Sequence, residues 1–166
     1  MDVQIVFGSW TGGTAGLAEM VASELAQRGH AVSVANAAKT GVRADAQAVI
    51  VVGALRTGRW HGDAVRFVKR NAKALRALPV WLVSSGPLDD TADQGTIAPT
   101  SDVAKLATEV GARGTQTFGG LLDENAQGFI AKSMLKNGRG GDFRSPQHVA
   151  SWVDTVVTGL AGDTAK

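Results

Sequence analysis

Residues Val3 to Phe7 form an apolar run that opens directly into Gly8-Ser9-Trp10-Thr11-Gly12-Gly13-Thr14 and then into Ala15-Gly16-Leu17-Ala18-Glu19-Met20-Val21. That order predicts a strand, a short glycine- and hydroxyl-rich turn, and an amphipathic helix starting at the turn. The first N–H groups of such a helix have no partner within it, and its dipole favours negative charge. With the hydroxyls of Ser9, Thr11 and Thr14 beside them, the segment is an anion seat suited to a phosphate group. The plainer alternative is a hydroxyl-capped strand-to-helix turn.

What the loop lacks narrows the ligand. A nucleoside triphosphatase loop needs a lysine and a hydroxyl after its last glycine, yet Gly13 is followed by Thr14 and Ala15. A dinucleotide fingerprint needs closely spaced glycines that Gly8, Gly12, Gly13 and Gly16 do not supply, and no acid closes a second strand to hold a ribose. What remains is the pattern [ST]-x-T-G-x-T over Ser9, Trp10, Thr11, Gly12, Gly13 and Thr14, which is similar to the phosphate loop of flavodoxins.

The rest of the chain alternates short apolar runs with helical periodicity. Strands are expected at Val3–Phe7, Ala31–Val34, Ala48–Gly53, Val80–Ser85 and Gly114–Phe118. The first helix carries Leu17, Met20, Val21 and Leu25 on one stripe and ends at Gly29. Asn36 to Gln47 predicts a short, frayed helix, because it holds few large apolar residues and contains Gly41. A third helix is expected over Asp63 to Leu75, with Ala64, Val68, Ala72 and Leu75 inward, and a fourth after Pro99 with Ser101 as its cap and Gly111 as its stop. The fifth has Ser145 before Pro146 at its first position and buries Val149, Trp152, Val153 and Val156. Strands alternating with helices over 166 residues predict one doubly wound parallel α/β domain, 1–166. With no cysteine and only three scattered histidines, His30, His61 and His148, neither thiol chemistry nor a metal site is expected. The strand-like N-terminus and the absence of a long apolar run predict a cytoplasmic protein.

Ligands of such sheets bind outside the carboxyl ends of the strands. The loop after the third strand, Ala54-Leu55-Arg56-Thr57-Gly58-Arg59-Trp60-His61-Gly62, places an indole that fits a flat ring, with the core as the alternative home for Trp60. After the fourth strand, Ser84-Ser85-Gly86-Pro87 offers hydroxyls and backbone donors, or is an ordinary turn, and leads to Asp89, Asp90 and Asp93.

At full length the chain resembles flavodoxin-domain proteins, in particular the branch that includes the flavodoxin-like bacterial protoporphyrinogen oxidases. The likeness is carried by the first loop, by Val51-Val52-Gly53-Ala54 with Gly58-Arg59-Trp60-His61 and Phe67-Val68-Lys69, by Pro79 to Leu88, and by Gly141-Asp142-Phe143-Arg144. The resemblance implies a three-layer sandwich with a five-stranded parallel sheet in the order 2-1-3-4-5 and helices on both faces. It also implies FMN held by Ser9, Trp10, Thr11, Gly12, Gly13 and Thr14, with the ring flanked by Ala54, Leu55, Arg56, Gly58, Arg59, Trp60 and His61 and by Ser84, Ser85, Gly86 and Pro87. The expected function is electron transfer or flavin-dependent oxidoreduction. The alternatives are a protoporphyrinogen dehydrogenase using a quinone and a flavin-free interaction module.

Two departures from the family shape the expected chemistry. No aromatic lies between Ser84 and Ile97, so one face of the ring is expected to be open. The chain is also basic, with 17 Lys and Arg against 15 Asp and Glu. Arg66, Lys69, Arg70, Lys73 and Arg76 read as a solvated helix face, and nucleic acid is not an expected partner. Gln127 to Arg144 combines Phe129, Ile130, Met134 and Leu135 with Lys132, Lys136, Arg139 and Arg144, which suits an anionic substrate, peripheral contact with the inner face of a membrane, or plain cover for the core. A redox partner or quinone is the expected second reactant, and Arg59 and His61 are the expected cations near a reduced flavin.

Overall fold

Alternate residues of the third strand are buried against opposite helix layers, which is the signature of a sheet covered on both faces. The computed structural model describes residues 1–10, 12–122, 124 and 129–164. Its elements run β1 (Asp2–Gly8), α1 (Gly13–Gln27), β2 (Ala31–Asn36), β3 (Ala48–Arg56), β4 (Arg59–Trp60), α2 (Gly62–Arg70), α3 (Ala72–Leu75), β5 (Val80–Ser85), α4 (Thr91–Gln94), α5 (Ser101–Val110), β6 (Gly114–Phe118), β7 (Leu121–Leu122), α6 (Phe129–Lys136), β8 (Gly141–Asp142) and α7 (Pro146–Thr164). The main sheet has the order β2-β1-β3-β5-β6, all parallel, which is the expected 2-1-3-4-5 arrangement of the five long strands. The short β4 folds back antiparallel on the end of β3, pairing Leu55 with Trp60 and Arg56 with Arg59.

Ile50 and Val52 join Val3, Ile5, Leu17, Val21, Leu25 and the Val149–Leu160 face of α7 in one core. Val49 and Val51 face the other way, with Val6, Phe67, Val68, Leu75, Leu82 and Leu106 from the α2, α3 and α5 side. On the first face Arg28 holds α1 to α7, donating to Asp154 at 2.7 Å and to the Ala150 carbonyl at 3.3 Å. Ser145 precedes Pro146 at the start of α7 and caps it, its Oγ accepting the His148 N–H at 3.2 Å.

Three expected helices change. Residues 37–47 form turns and no helix, because side chains from neighbouring elements take the backbone groups a helix would have used. Gln4, 1% exposed, donates from Nε2 to the Gly41 carbonyl and accepts the Arg43 N–H at Oε1, both at 2.9 Å, while Arg70 donates to the Thr40 carbonyl at 2.8 Å. The third helix breaks at Asn71, whose side chain donates to the Phe67 carbonyl at 2.8 Å and so caps α2 before α3 begins. The fourth is capped at Thr100 rather than Ser101, without a side-chain bond, and stops as expected at Gly111, where φ is +64°.

Gln4 is thus the only side chain bridging the centre of the sheet to the 37–47 turns through two hydrogen bonds among the described residues. Replacing Gln4 with Leu leaves the Gly41 carbonyl and Arg43 N–H without those partners. The expected loss is about 1–3 kcal/mol of stability with an unchanged m-value, measured by urea denaturation.

Candidate functional site

The carboxyl ends of β1, β3, β5 and β6 surround a cleft of about 380 Å³, within the range of small-molecule and cofactor sites. At one end is the start of α1. Gly12 takes φ of +86° at the cap, its N–H is bound by Ser9 Oγ at 2.9 Å, and the first helical bond is Gly16 N–H to the Gly12 carbonyl. The N–H groups of Gly13, Thr14 and Ala15 therefore precede the helix's own ladder, and Gly13 and Thr14 line the cleft. A Cβ at Gly13 would lie 2.9 Å from Leu121 Cβ, so only glycine lets the chain from β7 pass this close to the first turn. Thr11 lies outside the described residues.

The floor is a set of loops joined by backbone hydrogen bonds. Gly86 N–H donates to the Phe118 carbonyl at 3.0 Å, Gly120 N–H to Pro87 at 2.8 Å, and Phe143 N–H to Gly120 at 2.9 Å. One wall is Ala54, Leu55, Arg56 and Thr57, ending in a two-residue hairpin turn with φ of +49° at Thr57 and +74° at Gly58. The opposite wall is Leu88 with Leu122 and the inward side of α6, Ala131 and Met134. The side expected to be open for want of an aromatic is thus walled by aliphatic and thioether groups from the 129–136 helix. Beyond α6 the chain returns through β8, which pairs with β7, to Arg144. Arg144 binds both oxygens of Asp142 at 2.8 and 2.9 Å, reaches the Gly13 carbonyl at 3.4 Å and lies over the Cβ-free flank of Gly16. That bonding holds the Asp142 carboxyl below the usual carboxylate range.

Of the residues singled out in the sequence, Trp10, Gly13, Thr14, Ala54, Leu55, Arg56, Ser85 and Gly86 line the cleft. Ser9 and Gly12 shape the turn behind it. Gly58 and the exposed Arg59 sit on the hairpin outside the cleft, Ser84 is buried within β5, and Pro87 supplies the carbonyl that anchors Gly120. Trp60 is not a cleft aromatic. It is 4% exposed in the second core and lies directly over Gly53, where any Cβ would collide with the indole. The aromatic on the cleft is Trp10, 40% exposed, with the Arg56 guanidinium 4.5 Å from its ring centroid and the His61 ring at 4.3 Å. Cleft residues not among the expected site residues are Thr57, Ala131, Met134, Leu88, Gly120, Leu121 and Leu122. The paired glycines 119–120 after the last strand are the signal that marks Gly120, Leu121 and Leu122.

His61 is not the expected cation. Its Nδ1 accepts the Asp63 N–H at 3.1 Å and caps α2, leaving the proton to Nε2. Burial lowers its pKa, Asp63 opposes this, and Arg66 and Arg56 reinforce it. The cation beside the cleft is Arg56. Because the folded state binds the proton less tightly than the unfolded chain, the contribution of His61 to stability is full above about pH 6.5 and is lost as pH falls towards its lowered folded pKa. His61→Asn keeps a capping acceptor without a titrating group. Urea denaturation between pH 7 and pH 5 is expected to show a shallower loss of stability in this variant, with the residual slope from His30, which is lowered chiefly by burial.

No curated protein matches the sequence. Among solved structures, the chain is similar to two-electron-reduced flavodoxin of Megasphaera elsdenii, with 21% identity over 69% of this chain and 84% of that one and a TM-score of 0.56. A flavodoxin mutant of Fusobacterium nucleatum bound to flavin mononucleotide gives 17% identity over 92% and 93% of the two chains and a TM-score of 0.51. Rubredoxin oxygen:oxidoreductase of Desulfovibrio gigas gives 14% identity over 93% of this chain but 36% of that longer one, with a TM-score of 0.54. These likenesses show the fold, and the flavodoxin domain itself matches residues 4–139, so the chain belongs to the flavodoxin-domain family.

Proposed function

We propose that the cleft binds FMN and that the protein carries electrons through it. The observation that carries this reading is the joining, in one cleft, of an anion seat at Gly13–Ala15 to facing walls at Leu55–Thr57 and at Leu88, Leu122, Ala131 and Met134. First-turn N–H groups and the Thr14 hydroxyl suit a phosphate, and the apolar walls suit a planar ring. FMN supplies the one- and two-electron chemistry when bound. The chain's residues bind the phosphate, exclude water through Leu88, Leu122 and Met134, and set the local charge through Arg56.

Purified protein is expected to show flavin absorption bands or to acquire them on incubation with FMN, and a colourless protein that takes up no FMN overturns the assignment. Thr14→Val removes a hydroxyl donor to a charged group, worth about 1.5–3 kcal/mol, and is expected to weaken FMN binding about tenfold or more by fluorescence titration. Arg56→Gln is expected to lower the two-electron midpoint potential, because a cation at the cleft wall favours the reduced, anionic ring, whereas Arg59→Gln, outside the cleft, leaves it unchanged.

The finer placement beside the protoporphyrinogen oxidases rests on the motifs at 51–61, 67–69, 79–88 and 141–144 alone. Turnover of protoporphyrinogen with a menaquinone analogue supports it. Its absence, with one-electron carriers still reducing the protein, leaves electron transfer as the function.

A further inference from the structure

Leu88 and Met134 line two cavities at once. On one side they wall the cleft, and on the other they border a groove of about 450 Å³ with Asp89, Gly138, Arg139, Gly140 and Phe143. Met134 is half-buried, so its thioether stands in the partition between the two. The two sides offer different chemistry. Towards the cleft Met134 packs with Leu88, Leu122 and Ala131, whose side chains have no hydrogen-bond donor. The outer groove is bordered by the donor-rich Arg139, while the neighbouring Asp89 carboxylate accepts the Thr91 N–H at 3.0 Å.

The chain has no cysteine, so its oxidisable sulfur atoms are the thioethers of Met1, Met20 and Met134. Met1 packs against the first core, and Met20 lines a groove with Ser23, Glu24, Pro146 and Val149. Of the three, Met134 borders the cleft. The apolar cluster around it is small, with Leu122 and Ala131 as its buried members among the described residues. A polar atom introduced there disturbs the cleft wall and not the packing of helices on the main sheet.

We propose that Met134 is a site of reversible oxidation by peroxide, and that its sulfoxide turns out of the cleft wall towards Arg139 and loosens the protein's hold on its cofactor. This rests on the FMN reading, because dioxygen that takes two electrons and two protons from a reduced flavin leaves as hydrogen peroxide beside this wall. The thioether sulfur attacks one peroxide oxygen, the O–O bond breaks, and the products are methionine sulfoxide and water. Sulfur loses the two electrons that the peroxide gains. The new oxygen is an acceptor with no donor side chain among its neighbours on the cleft side, whereas Arg139 meets it in the outer groove with a charged donor. The wall opposite Leu55–Thr57 then opens. A methionine sulfoxide reductase returns the thioether and closes it.

The test exposes FMN-loaded protein to dilute hydrogen peroxide, reads each methionine by peptide mass spectrometry, and then strips the flavin and measures FMN affinity by fluorescence titration. Oxidation of Met134 is expected to weaken FMN binding about tenfold or more. Treatment with the two methionine sulfoxide reductases, one for each sulfoxide epimer, and a dithiol is expected to restore it. Met20→Leu keeps this sensitivity, Met134→Leu has the same affinity before and after peroxide, and Arg139→Leu shows a smaller loss than the wild type. Resistance of Met134 while Met20 is oxidised, oxidation without loss of affinity, an equal loss in Met134→Leu, or an undiminished loss in Arg139→Leu overturns the proposal. A protein that takes up no FMN removes the flavin assignment. Amide exchange over residues 131–136 then decides, with faster exchange in the sulfoxide form leaving the oxidative opening of the wall standing and equal exchange removing it.

Discussion

The constraint on which the structure depends is the burial of β3 on both faces. Val49 and Val51 sit in one core and Ile50 and Val52 in the other, so the strand cannot slip by one residue without exchanging its two sets of partners. With the register of β1 and β5 fixed on either side of it, Gly8, Gly53 and Ser84 lie side by side at the strand ends. The cleft follows from that alignment. Its donors and walls come from segments far apart in sequence, yet all leave the same edge of one rigid sheet.

The parts of this arrangement that depend on local periodicity are legible in the chain. Val80–Ser85 and Gly114–Phe118 appear where their apolar patterns put them, and Pro146 opens α7 behind the Ser145 cap. The parts that depend on a distant side chain are not. Nothing local to residues 37–47 shows that Gln4 will bond Gly41 and Arg43, and that contact decides against a helix. Trp60 illustrates the same limit, because its position beside glycines fits a ring platform as well as a core plug. The bare surface of Gly53, seven residues earlier and across a hairpin, draws the indole inward.

Charge is divided by position in a way that composition conceals. A net charge of +2 is slight for 166 residues, yet Arg28, Arg43 and Arg66 are each paired with a carboxylate, whereas Arg56 at the cleft wall has no ion pair among the described residues. Arg56 rests on Trp10 and faces the cleft. Its guanidinium is held by an aromatic face in place of a counter-ion, which keeps the positive charge uncompensated beside the cleft.

The segment from β7 to Arg144 is fastened at each end, by the β7–β8 pair and Gly120 at the floor and by Arg144 against the first turn of α1. The wall over the cleft and the seat at its end are therefore mechanically one piece. Displacing the described parts of this lobe breaks the Gly120 anchor and the Arg144 contact with Gly13 and leaves the two cores intact. The lobe therefore has a local stability of its own, separate from that of the whole fold.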